Sequence, residues 1–295
     1  MRRDSHMKAG VSGQCLGQAY SLEETLRIIT GYGVHSMEIW PQNIPSLGGG
    51  VSNDCYAGRD IEKAGALLDK YSVSVSAVSF SGAFDPAVSG DPEIYAREFM
   101  AAVTAAHRLG SQFVNHYCYR LSLTVLDEER LKKSIQPALE LAEKLSIILI
   151  LENEAHDMTK TPEETLKILR LFDSPNFKTN FDATNYYQAG CEGYPYAYDI
   201  LREYIAYVHI KNGCIYREPS GHSERFKGER MTGVSAGRDI YYPMMPEGAV
   251  NIEGLISRLK KDGYGGFCVA EPHCPPEDII MYLDSDLNYL VNILK

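Results

Sequence analysis

Four polar residues, each closing an apolar run, carry the first suggestion of chemistry. "IILIL" runs into Glu152, "NFD" ends in Asp182, "YVHIKN" contains His209 and "FCVAEPH" contains Glu271. Three carboxylates and an imidazole brought together would repel one another unless a positive charge sat between them. A divalent cation solves that problem: mixed oxygen and nitrogen ligation suits Mn²⁺ first, with Mg²⁺, Co²⁺ or Zn²⁺ as alternatives, and leaves positions open for substrate oxygens. Taken singly, each residue has a plainer reading. An acid after a strand commonly caps a helix or meets solvent, and a lone histidine commonly sits hydrogen-bonded in a core. The set of four, at four successive strand ends, is what favours a metal site.

Further candidates lie near the same ends. Glu38 and Trp40 close "VHSMEIW", and the chain's one tryptophan suits either stacking on a sugar face or packing under a loop. His116 ends "SQFVNH" as a candidate substrate contact or proton shuttle, with core hydrogen bonding as the alternative. Lys211 shares the His209 face of its strand, since side chains alternate. It suits an oxyanion or a substrate hydroxyl, or an ion pair to one of the carboxylates. Glu154 and His156 follow Glu152 in the loop; they cap it or face solvent, and His156 keeps a claim on the substrate.

Residues so far apart in sequence need a fold to gather them. Short β-branched or apolar runs alternate with amphipathic helical segments through the whole chain. The helices start on recognisable caps: Ser21 with Glu24, Asp60, Asp91 before Pro92, and Thr161 before Pro162. Runs such as "IILIL" are apolar on both faces, as parallel strands beneath helices must be. Eight such units without a break in composition predict an α/β fold, a closed (β/α)₈ barrel, in which chemistry sits at the C-terminal strand ends. No phosphate-cradling glycine fingerprint follows the first strand, which disfavours a dinucleotide fold. The expectation is one barrel domain over residues 1–295, interrupted at about 213–249 by a stretch without periodicity. So long an irregular segment after the seventh strand predicts a functional loop, a lid or a subunit contact.

Composition narrows the partners. A net charge of −10 across 295 residues argues against a nucleic-acid surface or an anionic membrane. No apolar run approaches the ~20 residues of a membrane helix. The seven scattered cysteines lack zinc-type pairing and no signal peptide is visible, so the expectation is reduced thiols in the cytoplasm. The expected partner is a small-molecule sugar or cyclitol, and the expected assembly a homo-oligomer.

The segments "SLEETLRIITGYGVHSMEIW", "LELAEKLSIILILEN", "NFDATN", "YVHIKN" and "LKKDGYGGFCVAEPH" together resemble the xylose isomerase-like TIM-barrel superfamily. The resemblance is to its branch of sugar phosphate isomerases, ketose 3-epimerases and inosose dehydratases, and it spans nearly the whole chain. It implies that Glu152, Asp182, His209 and Glu271 bind one divalent metal. It further implies a sugar or polyol isomerase or epimerase acting through a metal-stabilised enediolate. Glu152 and Glu271 would be the acid and base on opposite substrate faces, with Lys211 assisting. Asn185 matches a position where epimerases carry a substrate-contacting His or Asn. Arg217 falls in the loop where relatives place an arginine near the substrate. Two features depart from the pattern: Asn212 stands where many relatives read Asp after "HIK", and the loop that follows is longer. The alternatives are a metal-dependent lyase or dehydratase of the same fold, one that cleaves a carbon–glycoside included, and a non-catalytic sugar-binding barrel. A three-metal apurinic endonuclease fits poorly with only eight histidines.

Overall fold

A computed structural model of the chain describes residues 6–48, 55–121, 125–215, 230–233 and 238–295. Eleven strands are found among them: β1 (Lys8–Ser12), β2 (Ser36–Ile39), β3 (Ser74–Phe80), β4 (Phe113–His116), β5 (Ile148–Glu152), β6 (Phe177–Asp182), β7 (Ile205–Ile210), β8 (Cys214–Ile215), β9 (Arg230–Gly233), β10 (Arg238–Tyr241) and β11 (Phe267–Ala270). Eight of these close into a parallel barrel in the order β1-β11-β7-β6-β5-β4-β3-β2. The expected (β/α)₈ architecture is therefore present.

The helix starts form as their sequences dictate. Ser21 and Glu24 make both bonds of a capping box at the head of helix Leu22–Gly31. Asp60, Asp91 and Thr161 each accept a backbone N–H in the first turn of the helix that follows. These helices cover the outer face of the barrel. On β5, Leu149 and Leu151 point outward and are fully buried beneath them, a burial that contributes about 1.5–3 kcal/mol for each such side chain. The inner face is filled by Ala77, Ile150, Tyr207 and Val269, with Phe113 and Phe267 packed against them. That plug supports the polar layer one side-chain repeat further up.

The segment after β7 differs from its reading as irregular. Strands β8, β10 and β9 form a small antiparallel sheet. Asn212 fastens its neck: Oδ1 accepts from Gly213 N and Val250 N, both at 2.9 Å, while Nδ2 donates to Met245 O at 2.8 Å. That last bond requires a donor, which an aspartate lacks. A Cβ on Gly248 would stand 1.9 Å from Asn212 Cγ, so the backbone approaches as only glycine allows. The departure at Asn212 thus accompanies the longer insertion that it closes.

Met245 N also donates to Asp286 Oδ1 at 2.6 Å, joining the insertion to the closing helix Ile279–Leu294. Burial raises the Asp286 carboxyl to about 7, opposed by the Met245 bond and reinforced by Glu247. Its folded pKa lies above its unfolded one, so this group's contribution is fully present near pH 4 and is lost as pH rises through 7. Asp286→Asn keeps the acceptor and removes the charge. It is expected to raise the melting temperature by several degrees at pH 8, with the gap narrowing towards pH 5. Thermal melts across that range check it; a gap that ignores pH would mean another cause. Among the described residues, no helix is long and apolar enough to cross a membrane.

Candidate metal centre

Alternation along the strands delivers four of the polar side chains to one point. Glu152 follows Ile150 on the inner face of β5, His209 follows Tyr207 on β7, and Glu271 follows Val269 just past β11. Asp182 ends β6. One ligand atom from each of Glu152, Asp182, His209 and Glu271 lies within 4.8 Å of the other three, and all four residues are buried. A cation with bonds of about 2.0–2.2 Å needs ligand atoms roughly 3–4.5 Å apart. The donors and their spacing fit a divalent ion.

Each ligand is held by a second partner. Glu152 Oε2 accepts from Asn115 Nδ2 at 2.8 Å and Asn180 Nδ2 at 3.2 Å, leaving Oε1 towards the cluster. Glu38 Oε2 lies 2.6 Å from His209 Nε2, while His209 Nδ1 is 3.1 Å from Glu152 Oε1. A carboxylate behind an imidazole fixes its tautomer and aims its other nitrogen, the usual support of a metal-binding histidine. Glu38 therefore acts from beneath His209 rather than as a wall of the pocket. Asp182 divides its two oxygens. Oδ1 caps helix Ala183–Ala189 through Thr184 N and Asn185 N, while buried Oδ2 has no hydrogen bond in good geometry.

Lys211 Nζ lies 2.7 Å from Asp182 Oδ2 and 2.6 Å from Glu271 Oε2, an ion pair with both carboxylates. Desolvation opposes its charge, but Asp182, Glu271 and Glu152 together hold the ammonium well above its ordinary range. Burial would push Glu271 up; Lys211 and His209 outweigh it and hold that carboxyl well below the usual carboxylate range. His209 is likewise raised, with burial overcome by Glu152, Glu38 and Glu271. Asp182 moves upward, mainly by burial.

Next to the cluster lies a cavity of about 270 Å³. Its walls include Trp40, His156 and Asn185 from the expected set, together with Glu152, Lys211 and Glu271. Trp40 is anchored by its Nε1 donating to Ser12 Oγ at 3.0 Å, and Asn185 Nδ2 donates to Asn153 O at 2.8 Å. Sequence reasoning missed Phe84, Tyr117, Tyr119, Gln188 and Tyr242 as further walls, and treated Glu154 only as a loop residue. Burial, reinforced by Glu152, pushes the Glu154 carboxyl well up. Tyr242 comes from the insertion, packs at a tilt against His273 with ring centroids 4.6 Å apart, and donates to Gln188 Oε1 at 3.1 Å. Arg217 lies outside the described residues.

His116 stands apart from the cluster and takes the core position that its sequence also allowed. On β4 the inner face belongs to Asn115, so His116 points outward between Phe99 and Phe177, fully buried. Among the described residues neither ring nitrogen has a hydrogen-bond partner, and burial lowers its pKa to about 3. It does not line the cavity beside the cluster. His116→Leu is expected to leave activity unchanged and to stabilise the fold by about 1 kcal/mol, since two unsatisfied polar atoms disappear. Denaturant titration with an activity assay tests this; loss of activity in a folded variant would restore the pocket role.

The family model described as a xylose isomerase-like TIM barrel matches residues 26–288. The chain belongs to that family. Solved structures of similar fold include a probable 3-DHS dehydratase of Bacillus anthracis involved in petrobactin synthesis, at 18% identity and a TM-score of 0.72, covering 97% of this chain and 99% of that one. The 3-keto-D-glucoside 4-epimerase of E. coli is 16% identical with a TM-score of 0.67, covering 97% and 99%. The IOLI protein with a bound zinc atom is also 16% identical, at 0.67, covering 98% of each. At such identities the likeness is one of fold. A search of curated proteins finds no match. In this xylose isomerase-like barrel, the candidate metal ligands all lie on the face formed by the C-terminal strand ends.

Proposed function

We propose that the protein is a divalent-metal-dependent isomerase or epimerase of a sugar or polyol. The observation that carries this reading is the pair Glu152 and Glu271. Each is buried, each has one oxygen tethered by a neighbouring donor, and each turns the other oxygen to the cluster and the adjoining cavity. Glu152, Asp182, His209 and Glu271 would hold the cation. When bound, it supplies the positive charge that acidifies a C–H beside a substrate carbonyl.

The protein's own groups do the rest. One glutamate removes the proton, the C–H electron pair moves towards the carbonyl, and an enediolate results. The other glutamate, protonated at the outset, gives its proton to the opposite face, which inverts the carbon. The two carboxyl groups have then exchanged protonation states and reset through water. Lys211, two residues beyond His209, lines the cavity and is positioned to hold a substrate oxygen. Trp40, Phe84 and Tyr117 keep water from the reacting carbon.

The lyase reading has one observation in its favour: a buried ammonium, Lys211, sits beside Glu271 and is able to protonate a departing oxygen. A Mn²⁺-supplemented screen of ketoses, inososes and glycosides in D₂O decides between them. Deuterium next to the carbonyl of recovered sugar is the expected result. Release of water or an aglycone would assign the lyase instead, and neither exchange nor release with any substrate, in protein that has bound Mn²⁺, would overturn both.

A further inference from the structure

A second cavity, of about 640 Å³, adjoins the one at the metal cluster. The two share Gln14, Trp40 and Phe84 in their walls. Pockets for drug-sized ligands run to about 300–1,000 Å³, so the inner cavity of about 270 Å³ suits one small ring and the outer one has room for another. The chemistry of the two spaces differs. The inner cavity holds carboxylates and an ammonium, whereas the outer one presents neutral amides from Gln14, Gln18 and Gln42. An amide offers both donors and acceptors, which matches sugar hydroxyls.

The outer wall is also built. Gln42 Nε2 donates to Gln14 O at 3.3 Å, fixing the loop after β2 against the one after β1. A Cβ on Gly17 would come within 2.8 Å of Gln42 Cγ and 2.4 Å of Asn43 Nδ2, so the backbone there allows no side chain into that contact. Arg59 Nη1 donates to Ile44 O at 3.3 Å, and among the described residues Arg59 is the one cation lining this cavity. A phosphate would require more positive charge than that. Between the two spaces, Trp40 and Tyr117 lie 6.2 Å apart, and Phe84 packs on Tyr117 at 4.9 Å. These ring faces suit the apolar face of a sugar at the junction.

We propose that the substrate is a neutral glycoside of two sugar units, with the reacting ring at the metal cluster and the second ring in the amide-lined outer cavity. This rests on the metal-site reading and extends it to substrate class.

The test measures binding of D-fructose and of three ketose disaccharides, lactulose, isomaltulose and turanose, to the Mn²⁺-loaded protein by calorimetry. At least one disaccharide is expected to bind about tenfold or more tightly than D-fructose. The double variant Gln18→Ala/Gln42→Ala is expected to erase that advantage and leave D-fructose binding unchanged. No advantage for any disaccharide, no binding of any sugar, or equal weakening of disaccharide and D-fructose would overturn the second subsite. A separate Mn²⁺ titration reads the metal site. No isotherm there sinks the metal reading, whereas a normal one without disaccharide preference sinks the second subsite alone.

Discussion

Glu271→Gln is expected to lower deuterium exchange into substrate about 10³-fold or more and to weaken Mn²⁺ binding in the same protein. Two losses combine. The amide is a neutral and poorer ligand than the carboxylate it replaces, and it cannot accept a proton from carbon; general-base catalysis alone contributes about 10²–10⁴-fold. The fold itself has little reason to fail. Glu271 lies beyond β11, and the amide oxygen still accepts from Lys211, now 2.6 Å from its Oε2. Mn²⁺ calorimetry and mass-spectrometric exchange, run side by side, separate the two effects. Exchange within tenfold of the unaltered protein, at saturating metal, would remove Glu271 from the chemistry.

The barrel was legible because its strands are short, apolar on both faces and punctuated by helix caps. The four residues of the candidate cluster were legible as a set because strand ends are where such a barrel exposes polar groups. What failed was parity. His116 and Asn115 stand side by side at the end of β4, and the pleat sends one outward and the other into the site. A fixed ligand such as Glu152 sets the inward phase of its own strand only, so the phase of β4 had to come from Phe113, which packs on the inner plug. Glu38 was singled out as a candidate at the end of β2, but its distance from the cavity depends on the barrel's depth there, which no periodicity encodes. Tyr242 lay beyond reach for a different reason. Its contribution depends on an insertion folding back over the cavity, a contact between segments with no shared local signal.

Asp182 shows why the plain and the functional readings of a strand-end acid need not compete. Its Oδ1 caps the helix that follows, as an acid in that position commonly does, and its Oδ2 stays with the cluster. The cap fixes the side-chain rotamer, so the second oxygen is oriented before any cation arrives. A helix start thereby becomes part of the site's preorganisation.

Lys211 makes the sharpest demand on the metal reading. Its ammonium lies within hydrogen-bonding distance of two of the four candidate ligands, so ammonium and cation compete for the same carboxylate charge. Lys211→Met removes the buried cation and leaves Glu152, Asp182 and Glu271 with only His209 to offset them. Breaking a buried ion pair from one side costs about 3–5 kcal/mol, so the metal-free variant is expected to melt many degrees below the unaltered protein. Adding Mn²⁺ is then expected to recover most of the loss, because binding stabilises the folded state by RT ln(1 + [M]/Kd) and the variant's carboxylates no longer release a competitor first. The measurement is the rise in melting temperature on adding Mn²⁺, compared between the two proteins. A larger rise in Lys211→Met means that the lysine stands in for the cation. An equal rise would mean that the metal binds without disturbing the lysine, and a variant indifferent to Mn²⁺ would count against a metal at these four residues.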